Sequence, residues 1–394
     1  MQNDLSGKHI VFFAPETIPS FAGAGINAYA FAKYLSEYAG ETTLCCLNYN
    51  KLLPKTVIKD SLCIKRLTYY NGTYLQKFLS FPILLLAYLR YVYIADILLV
   101  YSGYLIGFQF ILFISWILGR NVIFRSTLIG GDDAESLLSG NFLIRRLNLF
   151  VFNRLNVYFA INPVFSNRFK KIFIDRVKVF ESFQGINRNR FYPCTKEHKE
   201  KLRKKLQIAS DELIILSVGI LLKKKGYQQV FPELAKLNIP FRYIIAGDYL
   251  PTSYHKLSAT EKKEMQDLVQ FGNNTLGKKL KLLGTVDNIE DYYHTADIFL
   301  LPSLQEGTPN VLLEAMACSL PCITKKLAGI SGVLTKHDSN SIEYSNAESL
   351  PAIIRKLLNN PEHMTRLGVK AAETLIENYT FEQVANKLFS ALDD

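Results

Sequence analysis

An α/β protein of two domains, each on a mostly parallel sheet, is the fold class the sequence predicts, and three observations predict it. With 394 residues the chain exceeds what one hydrophobic core usually serves, so two domains are expected. Short apolar runs alternate with helix-length stretches along the chain, the rhythm of a sheet covered on both faces. Gly, Pro, Ser and Asp follow many of those runs, at the strand ends where sites in such sheets lie.

The first series opens with a strand at His9–Ala14, a turn Ser20-Phe-Ala-Gly-Ala-Gly25 and a helix pattern over Ile26–Tyr38. Further strand runs are Thr43–Leu47, Ile97–Tyr101, Val122–Ser126, Val157–Ile161 and Val177–Phe180, giving an open domain of the Rossmann type. Gly23 and Gly25 lack a third glycine, since Ala28 stands three residues on, so this is not the dinucleotide-binding fingerprint. The uncharged stretch Ile97–Gly119 is long enough for a membrane span. Ser102-Gly103 divides it, however, and Asn121–Ile129 follows, so strand, helix, strand is the reading preferred.

A second series starts at Leu213–Val218, which runs into Gly219, with Lys223-Lys-Lys-Gly226 ahead of a helix. Strands Phe241–Ala246, Leu280–Leu283, Ile298–Leu301 and Pro321–Ile323 follow, the first three ending in Gly247-Asp248, Gly284 and Pro302-Ser303. The basic stretch 184–212 reads as a linker, which puts the domains at 1–185 and 186–375. Residues 376–394 hold a last helix, Phe381–Leu392.

Apolar residues make up 49% of the chain and charged ones 21%, which excludes a disordered protein. The net charge of +11 implies an anionic partner. A nucleic-acid module would show a basic stripe with exposed aromatics, whereas the aromatics here lie within apolar strands and helices, so no nucleic acid is expected. Six cysteines without metal-ligand spacing suit a reducing compartment. Met1–His9 does not read as a signal peptide, and a cytoplasmic location is expected.

The most informative segment is Leu301-Pro-Ser-Leu-Gln-Glu306-Gly-Thr-Pro-Asn310-Val-Leu-Leu-Glu314. Thr308 suits an N-cap and Pro309 the first helical position. The amides of Asn310, Val311 and Leu312 would then face a phosphate, aided by the helix dipole. Glu306 precedes this end and Glu314 lies one turn inside it. Two carboxylates beside an anion site suggest acceptors for hydroxyls on either side of a diphosphate, though capping and surface charge would also account for them.

That stretch resembles the acidic signature of glycosyltransferase family 4, two glutamates within a PNVLLEAMA-like context, and Ala296–Ser303 matches as well. Weaker likenesses lie at Phe21–Ile26, Phe183–Asn187 with Arg190–Pro193, and Ser217–Gly226. The resemblance implies a GT-B fold, two Rossmann-like domains facing across a cleft, and a retaining transfer of a hexose or N-acetylhexosamine from a UDP- or GDP-sugar. It implies that Glu314 binds ribose, that Glu306 and the backbone of Gly307, Thr308 and Pro309 address the hexose, and that the amides of Asn310, Val311 and Leu312 hold the diphosphate. Lys225 matches the lysine that stabilises the leaving diphosphate. Gly23 and Gly25 would approach the diphosphate, and Val286 the base. It also implies that the final helix crosses back to the first domain, and no metal or other cofactor is obligatory.

Two positions depart from the family pattern. Ile220 stands where an arginine usually pairs with the lysine; Lys223 or Lys224 is the nearest substitute, without the bidentate fork. No histidine occurs between His9 and His198, so the family's first-domain histidine is absent. Its region reads Arg125-Ser-Thr-Leu-Ile-Gly-Gly-Asp132-Asp133, and Arg125, Asp132 and Asp133 are the candidates for binding acceptor hydroxyls, the two aspartates also for assisting at the anomeric centre. Asp capping the next helix is the structural alternative. A saccharide, free or lipid-linked, is the expected acceptor, as in surface polysaccharide assembly. Residues 69–93, with Lys77 and Arg90 among Phe, Leu and Tyr, and the basic stretch Arg145-Arg146, Arg154 and Arg168–Lys178 suit peripheral contact with an anionic bilayer; a buried helix with charged ends fits the first equally. A catalytically weakened sugar-nucleotide-binding or scaffold protein is the alternative function.

Overall fold

The apolar runs become parallel strands because their side chains are buried on both faces: Ile97–Tyr101 is buried at every position and His9–Ala14 at all but the first. The computed structural model describes residues 5–18, 23–48, 52–69, 73–102, 104–173, 177–250 and 257–393. It divides into two compact units, 1–187 with 381–394, and 188–380.

In the first unit the order is β1 (His9–Ala14), α1 (Gly23–Leu35), β2 (Glu41–Asn48), β3 (Thr56–Lys59), β4 (Leu62–Thr68), α2 (Tyr74–Ile94), β5 (Ile97–Tyr101), α3 (Phe108–Ile117) and β6 (Asn121–Arg125). Then come α4 (Ala134–Leu137), α5 (Phe142–Phe152), β7 (Val157–Ala160), α6 (Pro163–Ile172) and β8 (Lys178–Glu181). The sheet runs β3-β4-β2-β1-β5-β6-β7-β8, parallel except for the β3–β4 pair. The chain turns outward in both directions from β1, so β1 and β5 flank the switch point where ligand crevices form. The stretch 97–119 is β5 and α3, and among the described residues no helix is long and apolar enough to cross a membrane.

Rings fill the core beside β6 and β7. Phe152 meets Phe124 edge-on at 4.8 Å and Tyr158 stacks on Phe169 at 3.8 Å, and each fully buried ring of this size contributes about 2–3 kcal/mol. The last helix, α14 (Phe381–Asp393), belongs to this core through Phe381, Val384, Leu388 and Phe389. Its Phe381 packs 5.5 Å from Phe31 on α1.

The second unit contains α7 (Lys196–Lys205), β9 (Leu213–Val218), α8 (Tyr227–Ala235), β10 (Phe241–Ala246), α9 (Ala259–Leu276), β11 (Leu280–Gly284), α10 (Ile289–Thr295) and β12 (Ile298–Leu301). It continues with α11 (Asn310–Ala317), β13 (Cys322–Lys325), β14 (Ile342–Tyr344), α12 (Leu350–Leu358) and α13 (Pro361–Asn378). All its strands are parallel in the order β11-β10-β9-β12-β13-β14. Its switch point therefore lies between β9 and β12.

The basic stretch 184–212 is not a linker throughout. Helix α7 is fixed within the second unit because Lys199 and Arg203 both bind Asp297, at 2.7 and 2.5 Å, and Asp297 also accepts the Ile214 amide at 2.8 Å. Lys199 and Arg203 are satisfied by that carboxylate and neighbouring carbonyls, while Lys196, Lys201, Lys204 and Lys205 stay exposed.

Candidate functional site

The loops after β9 and β12 meet at the second unit's switch point. Gly226 follows the Lys223–Lys225 turn with φ +77°, and a Cβ there would sit 1.9 Å from the Pro302 carbonyl oxygen, so only glycine lets the two loops touch. The Leu304 amide donates to the Lys224 carbonyl at 2.9 Å, a second stitch. This brings Lys225 to Glu306: its Nζ lies 2.6 Å from Oε1, with both side chains less than one quarter exposed. A partly buried, charge-assisted pair is thereby held at the mouth of α11.

The start of α11 differs from the sequence expectation. Pro309, not Thr308, is the N-cap, with ψ 92°, and Asn310 is the first helical residue. Extended backbone at Pro309 delays the helix by one residue. Its carbonyl accepts from the Leu312 amide at 2.9 Å and the Leu313 amide at 3.3 Å. Leu312 therefore has its amide engaged and its side chain buried, leaving the Asn310 and Val311 amides at the helix mouth. Asn310 Oδ1 is buried without a hydrogen-bond partner among the described residues, where a polar atom is normally satisfied. Gly307 is buried and Thr308 half-buried between Glu306 and the helix.

Glu314 is held from α10. The Tyr293 hydroxyl donates to Glu314 Oε2 at 2.7 Å and lies 3.2 Å from the Val311 carbonyl. Burial raises the Glu314 pKa, against the lowering effect of Tyr293 and Arg190. Nothing in the sequence points to Tyr293, because nothing local relates it to a residue twenty-one positions later. Arg190 forks onto Glu290 at 2.8 and 3.0 Å. Val286, half-buried, lies in the loop after β11, where Thr285 donates to Asp248 at 3.1 Å.

Ile220 packs against the hydrophobic core of this unit, so its departure from arginine is structural as well as electrostatic. Lys223 is directed to Glu264 on α9, at 3.8 Å, and Lys224 is exposed. Lys225 is the lysine of the run that reaches Glu306.

In the first unit, the chain is helical from Gly23, earlier than the Ile26 start expected, so Gly23 and Gly25 occupy the first turn of α1. A Cβ on Gly25 would lie 2.3 Å from the Glu16 carbonyl oxygen, whereas one on Gly23 would meet nothing within 4 Å. Gly25 thus serves close packing, and Gly23 is the open position. Ser20, Phe21 and Ala22 of the expected turn lie outside the described residues.

Arg125 ends β6, fully enclosed. Its Nη1 donates to Asn27 Oδ1 at 2.5 Å and its Nη2 to Gln184 Oε1, while Tyr101 and Phe159 face the guanidinium at 4.6 and 5.4 Å. Burial lowers its pKa, and its Nε has no hydrogen-bond partner among the described residues. Asp132 and Asp133 turn into their own loop. Asp132 Oδ1 accepts the Thr127 and Leu128 amides at 2.8 and 2.7 Å, and Oδ2 the Thr127 hydroxyl at 2.8 Å. Asp133 caps α4 and pairs with Arg168 at 3.0 Å. Burial pushes its carboxyl up, but hydrogen bonds from Ser136, Arg168 and Gly130 outweigh it and lower the pKa. Both aspartates are fully buried, so in this conformation their carboxylates are occupied by protein donors rather than presented to a ligand.

Residues 198–374 match the family described as glycosyl transferases group 1. Among curated proteins, the UDP-Gal:alpha-D-GlcNAc-diphosphoundecaprenol alpha-1,3-galactosyltransferase of Escherichia coli is 30% identical over 202 residues, 48% of this chain and 49% of that protein. The chain spans about half the length of most of the curated relatives it matches. Among solved structures, sucrose-phosphate synthase from Thermosynechococcus elongatus aligns with a TM-score of 0.77 at 18% identity, covering 97% of this chain and 98% of that one. Anabaena HepE, solved with UDP and glucose, aligns at 0.74 and 16% identity over 98% and 100%. The protein is thus related to glycosyl transferases group 1 and has the two-lobed GT-B fold, with a Rossmann-like sheet in each lobe.

Proposed function

We propose that the protein is a nucleotide-sugar-dependent glycosyltransferase that moves a hexose or N-acetylhexosamine from a UDP- or GDP-sugar to a saccharide acceptor, with retention at the anomeric carbon. The observation that carries this is the Lys225–Glu306 pair at the β9/β12 switch point, beside the Asn310 and Val311 amides and the Tyr293-held Glu314. An incoming diphosphate competes with Glu306 for the Lys225 ammonium. Once released, Glu306 accepts hydrogen bonds from the hexose, and Glu314 those from the ribose. The Asn310 and Val311 amides and Lys225 then stabilise charge on the departing diphosphate.

In the transfer, the acceptor oxygen forms a bond to the anomeric carbon on the face from which the phosphate oxygen departs. The acceptor proton passes to that leaving phosphate, so no separate base is consumed. In the first unit, the loop 127–133 is assigned to the acceptor, with Asp132 and Asp133 setting its shape and Arg125 anchoring its base. HepE was solved with a UDP donor fragment, and the Escherichia coli relative's acceptor is a sugar on a polyprenyl diphosphate. Those two facts support a UDP-sugar donor and a lipid-linked acceptor here.

Titration of the protein with a panel of UDP- and GDP-sugars, followed by NMR of the product's anomeric centre, tests the reading. One donor binding tightly and a retained configuration are expected. Inversion contradicts the mechanism, and donor binding without either hydrolysis or transfer favours the weakened binding protein that Ile220 suggests.

A further inference from the structure

Helix α2 is apolar on the side away from the core as well as toward it. Ser80, Leu84, Tyr88 and Val92, four residues apart, form its buried seam. On the opposite side Leu75, Leu79, Ile83, Leu86, Arg90 and Tyr93 recur at three- and four-residue spacing and are all exposed, Leu86 to 67%. A soluble surface helix normally carries its charges there.

The neighbouring helices extend the same surface. Tyr88 of α2 donates to the Ile106 carbonyl ahead of α3 at 2.9 Å, and Arg120 beyond α3 donates to the Tyr93 carbonyl at 2.5 Å. Gln109 on α3 donates to Asn148 on α5 at 3.2 Å, and Trp116 meets Phe150 edge-on at 5.3 Å. Trp116, Ile117 and Leu118 are exposed at the end of α3, and Phe142, Leu143 and Ile144 at the start of α5, Leu143 to 75%. Contiguous apolar exposure across three packed helices is more than the scattered residues a monomer tolerates.

The charges on these three helices have one sign. None of the three helices contains Asp or Glu, while Arg90, Arg145, Arg146 and Arg154 are exposed. Arg154 lies over Phe150 at 3.6 Å and over Trp116 at 4.9 Å, an amphipathic pairing suited to a headgroup boundary. Lys77 falls in α2, but its side chain lies outside the described residues. A second copy of the chain would set arginine against arginine with no carboxylate on these helices to pair with them. An anionic bilayer satisfies both the apolar stripe and the cations. We propose that the α2–α3–α5 face of the first unit is a docking surface for an anionic phospholipid membrane, with leucine and aromatic side chains inserted among the acyl chains and the arginines at the phosphates. The inference goes beyond the transfer reading and needs no donor.

Co-sedimentation of the full chain, without sugar nucleotide, with vesicles of phosphatidylcholine alone or mixed with phosphatidylglycerol tests it. Binding to the mixed vesicles is expected, at least about tenfold above the neutral ones at low salt and falling as salt rises. The double variant L86E/L143E should lose most binding, and R145E/R146E the salt-sensitive part. Val369→Glu, exposed in the second unit, should bind as wild type. Melting curves establish that each variant is folded. Failure to bind mixed vesicles, or equal binding by folded L86E/L143E, overturns the proposal. So does concentration-dependent dimerisation that L86E abolishes without vesicle binding, which would assign the face to a second copy.

Discussion

The two units place charged residues at the ends of parallel strands in similar sheets and use them in opposite ways. At the ends of β9 and β12 in the second unit, Lys225 and Glu306 pair with one another, and Asn310 Oδ1 has no hydrogen-bond partner among the described residues. After β6 of the first, Asp132 and Asp133 are fully buried, Asp132 spending its oxygens on its own loop and Asp133 on the start of α4 and Arg168. Topology marks where a site can lie. Whether a charge is available for a ligand depends on which donors already occupy it.

Substitutions that exchange these roles test the contrast, and Lys225→Ala has the largest expected effect. Removing the cation should lower transfer about 10²–10³-fold, with a smaller fall in the urea midpoint than Asp133→Ala gives, since the pair keeps partial solvent access. A comparable loss of activity from K223A would show that the lysine run acts as a diffuse charge; the Lys223–Glu264 contact predicts a change of less than about twofold.

Asp133→Ala should do the reverse. It removes an N-cap and a partner of Arg168, costing about 2 kcal/mol of stability, while donor binding is unchanged. Because the folded pKa of Asp133 is lowered, its contribution is present above the ordinary carboxylate range and disappears as pH falls through the lower folded value. Urea titrations at decreasing pH should therefore bring wild type and D133A together. A constant gap down to the acid limit would show that packing, not the carboxylate, carries the effect.

Glu314→Gln should weaken donor binding about tenfold, the cost of a charged acceptor on a ribose hydroxyl. The folded pKa of Glu314 is raised, so its stabilising protonated form prevails at low pH and the ionised form costs stability as pH rises through the folded value. In the ligand-free protein E314Q should flatten that decline. An unchanged pH profile would place the raised carboxyl outside the stability balance.

Both sheets were largely legible because their central strands are unbroken apolar runs. Three strands were not. Thr56–Lys59 is mostly exposed, Leu62–Thr68 alternates with Lys65 and Arg66, and Ile342–Tyr344 has three residues; each depends on a neighbour for its definition. The Glu306–Glu314 segment was visible from residue type and spacing. The cap was misplaced because Thr-Pro supports two registers, and the conformation of Pro309 selects the later. Tyr293, which holds Glu314, was hidden because only the packing of α10 beside α11 brings it there.

The central claim is that Lys225 changes partner from Glu306 to a diphosphate. Calorimetric titration of wild type, K225A and E306Q with the preferred nucleotide sugar and with its free nucleoside diphosphate tests this directly. The prediction is that K225A weakens both ligands, while E306Q weakens the sugar nucleotide but leaves the free diphosphate unchanged or tighter. K225A binding both ligands as wild type does would contradict it.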